Sequence, residues 1–190
     1  MTPANSPETQ TAVADLPCQT CDSGQVLSAR GQCCRDFRNT LGNFATGVTV
    51  ITALSPEGEP IGVTISSFNS VSLDPPLILW SLSLNSPNIE AFSRASHYAV
   101  NVLAADQQPI SDGFAARKSD RFAGLSCSQG LSDVPLLDGC CAWFECINEA
   151  HYPGGDHLIF VGRVERFALG DAKSPLIFHN GRYCRLDVTA

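Results

Sequence analysis

Between residues 47 and 73 the chain reads GVTVITALSPEGEPIGVTISSFNSVSL. Residues 47–53 alternate β-branched side chains with smaller ones, a pattern that predicts a β-strand. Residues 55–60 contain Ser, Pro and Gly, which favour a turn, and residues 61–73 return to the strand pattern. We therefore expect two strands joined as a β-hairpin, with an unusual density of Ser and Thr hydroxyls on the second strand.

Further short strands are predicted along the chain, and only brief helices lie between them. A helix is expected around residues 37–44, because large apolar side chains recur there at intervals of four and three residues. At least six short strands with few helices indicate a barrel or sandwich rather than a doubly wound parallel sheet. The other predicted strands are residues 77–82, 98–103, 143–147, 157–167 and 183–186, and the other predicted helices begin near Ser86 and Asp106.

The charge balance of the chain excludes several classes of partner. The 190 residues include 12 Lys and Arg against 19 Asp and Glu, which gives a net charge of −7. A general electrostatic grip on nucleic acid or on an acidic membrane is therefore not expected. No run approaches the roughly 20 apolar residues of a membrane-spanning helix, and no signal peptide is recognised, so we expect a cytoplasmic protein. Only 16% of the residues are charged, which predicts that protein or ligand covers part of the surface.

Residues 1–34 differ in composition from the rest of the chain. They are rich in Pro, Thr, Ser and Gln and contain no aromatic residue, so we expect a mostly disordered N-terminal tail and one folded domain over residues 35–190. The nine cysteines are an odd number without a secretion signal, which argues against a disulfide framework. Zinc is an alternative for the early cysteines, although only the Cys-x-x-Cys pair is a good half-site, since adjacent thiolates diverge from one metal. These early cysteines are Cys18, Cys21, Cys33 and Cys34.

Motifs that carry chemistry are few. The chain lacks the glycine-rich phosphate loops of nucleotide-binding folds, the Gly-x-Ser-x-Gly nucleophile elbow and the His-Glu-x-x-His zinc motif. Three candidates remain: the hydroxyl-rich residues 62–70, the helix start at residues 83–88, and the glycine turn with Asp156 and His157 at residues 154–162. Hydroxyls can bind a phosphate or a heterocycle, a helix start offers N–H donors to an anion, and an imidazole can contact a ligand. Each segment alone also fits an ordinary strand, helix start or hairpin turn.

Taken in order, these segments resemble the flavin reductase family of FMN-binding split barrels, which are NAD(P)H:flavin oxidoreductases. The resemblance implies a mostly β fold, a six-stranded antiparallel Greek-key split β-barrel with short flanking helices. It also implies a homodimer with flavin near the interface, and hydride transfer from the nicotinamide to the flavin. The matching segments are residues 44–52, 62–76, 85–86, 92, 98–103, 120–122, 155–162, 175–178 and 181–183, within about residues 36–186.

The resemblance also implies roles for individual residues. The nicotinamide is expected at His157, as a positioning group rather than a proton carrier, with Tyr183 behind it. No basic residue lies between Gly58 and Arg94, so neutral donors are expected to hold the flavin phosphate. The residues implied at the flavin are, for the ring and its ribityl chain, Thr46, Val48, Thr64, Ser66, Ser67, Phe68, Ser70 and Asn101, and, for the phosphate, Ser83, Asn85 and Ser86.

Three functional hypotheses follow. The leading one is an NAD(P)H-dependent flavin reductase that uses FMN or FAD and supplies reduced flavin to a partner monooxygenase. A second, within the same fold, is an oxidoreductase that retains its flavin and reduces another acceptor. A third is a flavin- or haem-binding module without turnover, or an interaction protein that uses its tail cysteines. The Gly-Asp-His motif at residues 155–157 favours an enzyme, because a pure flavin binder needs no nicotinamide site. The residues do not distinguish FMN from FAD as the flavin, or NADH from NADPH as the reductant.

Overall fold

A computed structural model describes residues 34–116, 120–171 and 174–186 of the chain. The chain divides into two compact units, and the boundary in the sequence lies between Asn43 and Phe44. In the first unit the described element is one helix, α1 (Cys34–Leu41), so a helix forms as predicted but lies three residues before the expected range 37–44. The predicted tail up to residue 33, and with it the zinc hypothesis for Cys18, Cys21, Cys33 and the Cys34 side chain, lies outside the described residues. The described residues gather no group of three or more metal-ligating side chains.

The second unit is built mainly of short antiparallel strands. Two short α-helices and one 3-10 helix (Leu131–Asp133) lie among the described strands. No helix in the described ranges has the length and apolar character needed to span a membrane. The elements are β1 (Thr46–Gly47), β2 (Thr49–Leu54), β3 (Pro60–Ile65), β4 (Asn69–Leu73), β5 (Pro76–Ser83), α2 (Ile89–Arg94), β6 (His97–Val102), α3 (Gln108–Ala115), β7 (Cys127–Gln129), β8 (Pro135–Leu137), β9 (Ala142–Gly154), β10 (His157–Leu169), β11 (Ile177–His179) and β12 (Arg182–Cys184).

The main sheet has seven strands in the order β3-β2-β6-β9-β10-β5-β4. All of its neighbouring strands run antiparallel. A second sheet joins β1, β11 and β12, and a small one joins β7 and β8. The mostly β, antiparallel architecture with few helices is as predicted. The main sheet contains seven strands rather than six, and the C-terminal strand β12 belongs to the second sheet.

The extra strand arises because residues 61–73 form two strands instead of one. The first part, β3, pairs with β2 as the predicted hairpin. The chain then turns at Ser66, and β4 pairs with β5. The Ser67 hydroxyl accepts a hydrogen bond from the Ser81 N–H (3.0 Å) and lies 3.1 Å from the Ser81 carbonyl oxygen, to which it donates. This side chain therefore ties the end of β3 to β5 and brings the two ends of the main sheet together.

An aromatic cluster fills one face of the main sheet. Trp80 stacks on Phe160 with ring centroids 4.2 Å apart and planes 9° apart, and it meets Phe92 and Tyr98 edge-on. All four side chains are fully buried. A Cβ at Gly162 would overlap the Tyr98 hydroxyl and lie 2.6 Å from Tyr98 Cζ. The cluster therefore depends on glycine at this position.

A second core lies on the other face of β2, which explains why this strand is buried on both sides. Helix α3 closes this core, and its Phe114 ring packs directly on β3. A Cβ at Gly62 would lie 2.6 Å from Phe114 Cδ1, so glycine is needed for the helix to approach this closely. The buried members of the second core are Val48, Val50, Leu103, Phe114, Leu137, Cys140 and Leu176.

Helix α2 is held at its C-terminal end by the main sheet. The Asn148 side-chain amide, on β9, donates to the carbonyls of Phe92 (3.0 Å) and Ala95 (2.8 Å). These carbonyls belong to the last turn of the helix, where intrahelical partners run out. The helix begins at Ile89, with Asn88 as N-cap, so it starts two residues later than predicted, where Ser86 was the expected N-cap. The chain reaches the helix through a turn between residues 83 and 88.

Candidate functional site

A row of polar and apolar side chains lies on the outer face of β9, β10 and β5. Successive side chains of a strand point to opposite faces of the sheet. On β5 and β10, Trp80 and Phe160 point into the aromatic cluster, so the residues next to them in the sequence point to the other face, which is the outer one. On that outer face His157 pairs with Ser83, and Ile159 pairs with Ser81. Since Ser67 is bonded to Ser81, the end of β3 borders the same surface. The fold thus brings Ser67, Ser83 and His157, which the sequence separates widely, to one surface.

The orientation of His157 is set by its neighbour in the Gly-Asp-His motif. His157 Nδ1 lies 2.7 Å from Asp156 Oδ1. An ionised carboxylate only accepts hydrogen bonds, so Nδ1 carries the proton and donates it. This hydrogen bond lowers the pKa of Asp156 below its ordinary value, which keeps the carboxylate ionised. In the neutral ring Nε2 is therefore an acceptor, and it has no hydrogen-bond partner among the described residues.

In the hydroxyl-rich segment at the end of β3, some side chains are hydrogen-bonded within the protein and others are not. Thr64 Oγ1 donates to the carbonyl of Ser111 in α3 (2.7 Å), and the Ser67 hydroxyl is used by Ser81. Ser66 and Ser70 are exposed, and their hydroxyls have no hydrogen-bond partner in the described chain. Phe68 is half-buried, with its ring centroid 5.6 Å from that of Phe144. Thr64 and Ser67 therefore shape the segment, whereas the hydroxyls of Ser66 and Ser70 can face a ligand.

The turn before α2 uses its backbone N–H groups internally, which corrects the expectation of exposed donors. Asn85 N–H donates to Ser83 Oγ (3.3 Å), Ser86 N–H to the Ser83 carbonyl (2.9 Å), and Asn88 N–H to Ser86 Oγ (3.3 Å). The hydroxyl protons of Ser83 and Ser86 and the exposed amide of Asn85 stay available. Neutral donors are thus present, as expected, but they are side chains instead of main-chain groups.

Two other predicted site residues, Thr46 and Tyr183, lie in the second sheet on either side of β11, and Tyr183 contacts α3. The second sheet places Thr46 opposite Phe178 and Phe178 opposite Tyr183. The Tyr183 hydroxyl donates to Asp112 Oδ1 (2.8 Å) and lies 2.9 Å from Ser111 Oγ, and burial raises its pKa. Among the described residues it makes no hydrogen bond or ring contact with His157. The predicted position of Tyr183 directly behind His157 is therefore not observed within one chain.

Two predicted flavin contacts are buried in the core instead. Val48 is 3% exposed and packs in the second core, because it leads into β2 at the point where both faces are covered. Asn101 is fully buried, and its Nδ2 donates to the Val50 carbonyl (2.9 Å) and to Thr52 Oγ1 (3.0 Å). Its Oδ1 accepts from the Leu137 N–H (2.8 Å). The Asn101 amide therefore ties β6 to β2 and β8, and the expectation that it lies beneath a bound ring is wrong.

A cleft of about 770 Å³ opens beside Asn85. Arg121 projects into it, half-buried, and Nη1 donates to the Gly62 carbonyl (2.6 Å). This cation was missed as a site residue, although residues 120–122 belong to one of the matched segments. Only the fold shows that a residue so distant in sequence faces the turn. The cleft is lined by Glu59, Pro60, Ile61, Gly62, Asn85, Pro87, Asn88, Asp120, Arg121 and Phe122.

Comparison with known proteins places this geometry in a family. The family model described as the flavin reductase like domain matches residues 41–187. The chain belongs to this family. The match covers the whole main sheet, the turn before α2 and the cleft, and it confirms the family resemblance that was predicted from the sequence.

Three relatives are named as flavin reductases or as the reductase component of a monooxygenase. The chain is 48% identical over 160 residues to the FMN reductase (NADH) SmoA of Agrobacterium fabrum, which covers 84% of this chain and 90% of that protein. It is 45% identical over 133 residues to the reductase component of the flavin-dependent trigonelline monooxygenase of Acinetobacter baylyi, of which it spans 43%. Among solved structures, the NADH:FAD oxidoreductase SgcE6 of Streptomyces globisporus, in complex with NAD and FAD fragments, matches with a TM-score of 0.81 and 34% identity. This match covers 87% of this chain and 99% of that one.

Proposed function

We propose that the chain is an NADH-dependent flavin reductase that supplies reduced flavin to a partner monooxygenase. The observation that carries the proposal is the surface around His157, where an oriented imidazole with an unused acceptor nitrogen lies beside unused hydroxyl donors. Relatives that are reductase components of monooxygenases support the partner class. A cytoplasmic location stays a prediction from the sequence.

The residues at this surface fit a flavin. The Ser66 and Ser70 hydroxyls and the Phe68 ring offer hydrogen bonds and an apolar edge to a planar heterocycle. The donors on the turn, which are the hydroxyls of Ser83 and Ser86 and the amide of Asn85, suit a phosphate group without a dedicated cation. A flavin held in this way would lie along the border between the end of β3 and the start of the turn.

The His157 ring is proposed to position the nicotinamide. Its Nε2 can accept a hydrogen bond from the carboxamide N–H of the nicotinamide, while Asp156 holds Nδ1. When flavin is bound, its ring system accepts a hydride from the dihydronicotinamide. The protein's contribution is orientation, because two stacked rings need to be held at reacting distance. No acid or base is needed for that role, which agrees with the scarcity of catalytic motifs in the sequence.

We propose that the functional unit is a homodimer. Strand β4 lies at the edge of the main sheet, and its Leu73 is 94% exposed. Phe167 and Leu169, at the end of β10, are 75% and 87% exposed. An apolar edge of this kind is normally covered by another chain. Sedimentation velocity of the purified protein tests the assembly: a dimer that is weakened by Leu73→Lys supports it, and a monomer at micromolar concentration contradicts it.

The activity is tested by following the nicotinamide absorbance band. Purified protein is mixed with NADH or NADPH, and with FMN, FAD or riboflavin in turn. We expect NADH oxidation that depends on added flavin. Absence of oxidation with every pair would overturn the proposal and favour a binding module. Oxidation that requires a third acceptor would overturn the role as a supplier of free reduced flavin.

A further inference from the structure

The hairpin of β9 and β10 holds the segment of residues 84–96 at both of its ends. Near the tip of the hairpin, the Leu84 N–H donates to the Asp156 carbonyl (2.9 Å). At the other end, the main-chain N–H of Asn148, on β9, donates to the Ser96 carbonyl (2.9 Å). The held segment contains most of the proposed phosphate donors, and the tip of the hairpin carries the imidazole that is proposed to position the nicotinamide. One hairpin therefore sets the distance between the two proposed binding regions.

The orientation of the Asn148 amide follows from the groups that its two ends face. Its Nδ2 donates to the carbonyls of Phe92 (3.0 Å) and Ala95 (2.8 Å). Carbonyl oxygens only accept hydrogen bonds, so the amide nitrogen has to lie on this side. The amide oxygen Oδ1 therefore faces His151, whose Nε2 lies 2.8 Å away. Since Oδ1 also only accepts, Nε2 of His151 carries a proton and donates it.

The His151 ring is itself held in place by the aromatic cluster. It lies opposite Phe160 in the pairing of β9 with β10, and its ring meets the Phe160 ring edge-on with centroids 4.7 Å apart. Phe160 in turn stacks on Trp80. Burial lowers the pKa of His151, so at pH 8 the ring is neutral and its single proton is the one on Nε2. The cluster therefore fixes the ring that orients the Asn148 amide.

Apolar packing alone does not set the rotation of α2 about its own axis. The buried side chain of this helix is Phe92, which meets Trp80 edge-on. Burial of apolar surface is non-directional, whereas a hydrogen bond weakens steeply when its angle departs from linearity. The two bonds from the Asn148 amide therefore fix the rotation of the helix, and with it the direction in which the donors of the preceding turn point.

We propose that Asn148 and His151 are positioning residues for the flavin phosphate. Asn148 holds the C-terminal end of α2, and His151 orients the amide through which Asn148 does so. Neither residue is among those assigned to the flavin or the nicotinamide, and both act through α2 and the turn before it. The inference rests on the proposed function, because that function places the flavin phosphate at the donors of this turn.

The first experiment compares the binding of FMN with that of riboflavin, which has the same ring system and no phosphate. Quenching of flavin fluorescence measures the Kd of each for the full chain in the absence of NADH. The Kd for FMN should rise at least about tenfold in Asn148→Ala and about fivefold in His151→Phe, as for the loss of two hydrogen bonds and of one. The Kd for riboflavin should change by less than about twofold in both. An unchanged Kd for FMN in Asn148→Ala, or equal rises for the two flavins, would overturn the inference.

Two further variants separate the hydrogen bond of His151 from its packing. His151→Phe keeps a ring against Phe160 and removes the N–H donor. His151→Gln loses the ring and keeps an amide N–H donor, so it should restore the Kd for FMN to within about twofold of the wild type. In Asn148→Ala, the further change His151→Phe should have no additional effect, because His151 acts through the Asn148 amide. Failure of the Gln variant to restore binding, or additive effects in the double variant, would contradict the role of His151.

The matched control for a general loss of stability is Asn101→Ala. It also removes an amide that ties strands together, but its partners lie on β2 and β8 and not on α2. It should lower the urea midpoint and leave the ratio of the Kd values for FMN and riboflavin within about twofold of the wild type. A ratio changed as much as in Asn148→Ala would show a merely structural effect and overturn the inference.

The same proteins distinguish failure of the inference from failure of the proposed function. Wild-type protein that binds FMN no more tightly than riboflavin would overturn the inference, because the turn would then not recognise the phosphate, and NADH oxidation would still test the reductase activity. Failure of the wild type to oxidise NADH with any flavin would overturn the proposed function instead, while the binding comparison still reports on Asn148 and His151.

Discussion

Substitution of Gly162 by Ala should destabilise the fold by a predictable amount. The new methyl group would overlap the Tyr98 hydroxyl and lie 2.6 Å from Tyr98 Cζ and 3.1 Å from Cys146 Cβ. Ordinary carbon contacts are about 3.5–4.0 Å, so the Tyr98 ring would have to withdraw by roughly 1 Å or more. Trp80, whose ring lies edge-on to Tyr98 at 5.5 Å, is itself fully buried, which leaves the ring no space.

Overpacking of this kind costs about 3 kcal/mol at the upper end of its usual range. Replacing glycine by alanine within a strand raises the free energy of unfolding by about 0.5–1 kcal/mol, because the unfolded chain has less conformational freedom. The net loss in the free energy of unfolding should therefore be about 2 kcal/mol. With a urea m-value of about 2 kcal/mol/M, the unfolding midpoint should fall by about 1 M. Tryptophan fluorescence follows the transition, at one fixed protein concentration, because Trp80 lies inside the perturbed cluster.

Two further variants test the stated cause. Gly113→Ala, in α3, places its methyl group where no atom lies within 4 Å, so it should stabilise the protein by about 0.5–1 kcal/mol. Tyr98→Phe removes a buried hydroxyl that has no hydrogen-bond partner in the described chain, so alone it should change stability by less than about 1 kcal/mol. Combined with Gly162→Ala it should recover part of the loss. A Gly162→Ala protein within about 0.5 kcal/mol of the wild type would refute the packing argument.

Three other predictions follow from the site and the core. His157→Ala should raise the KM for NADH and leave the KM for flavin nearly unchanged in steady-state assays, because the ring is proposed to position the nicotinamide. Equal rises in both KM values would contradict this role. Asn101→Ala should lower the free energy of unfolding by about 3 kcal/mol in urea titrations, since the buried Leu137 N–H loses its partner; a loss below about 1 kcal/mol would argue against the amide as a tie between strands. Burial raises the pKa values of Cys140 and Cys146 to about 12, so both thiols stay protonated at pH 8. In the folded protein they should therefore react slowly with thiol reagents, as measured by mass spectrometry. Labelling of the folded protein as fast as that of the urea-unfolded protein would contradict this.

Much of the fold could be predicted from local pattern. The hairpin of β2 and β3 was predicted from its alternation and turn residues, and it is confirmed. The break at Ser66 could not be predicted in the same way, because the hydroxyl-rich run through residues 61–73 keeps the strand pattern. What ends β3 is a hydrogen bond to Ser81, which is a partner that only the folded sheet supplies.

The candidate site shows the same limit. His157 and the turn donors could be found from short motifs, since each motif keeps its residues together. Asn101 was misplaced because its three partners come from β2 and β8, and no local pattern distinguishes a core amide from a ligand-facing one. The residues next to Arg121 in the sequence are typical of an exposed loop and do not indicate a site. In the folded chain Arg121 lines the same cleft as the turn at residues 85–88, which is more than 30 residues away in the sequence.

The anchoring of α2 by Asn148 has a consequence for how a substrate enters. The helix has six residues and is about 9 Å long, and its far end is fastened to β9 through two hydrogen bonds. The turn at the N-terminal end of α2 is therefore connected to a short helix whose C-terminal end is fixed. A hinge motion of this helix would first have to break the two hydrogen bonds of Asn148. A molecule that binds at this turn, as proposed, therefore meets a backbone that is already in place, and only side chains such as that of Asn85 need to rotate. Less conformational freedom is lost on binding to such a backbone than on binding to a mobile loop.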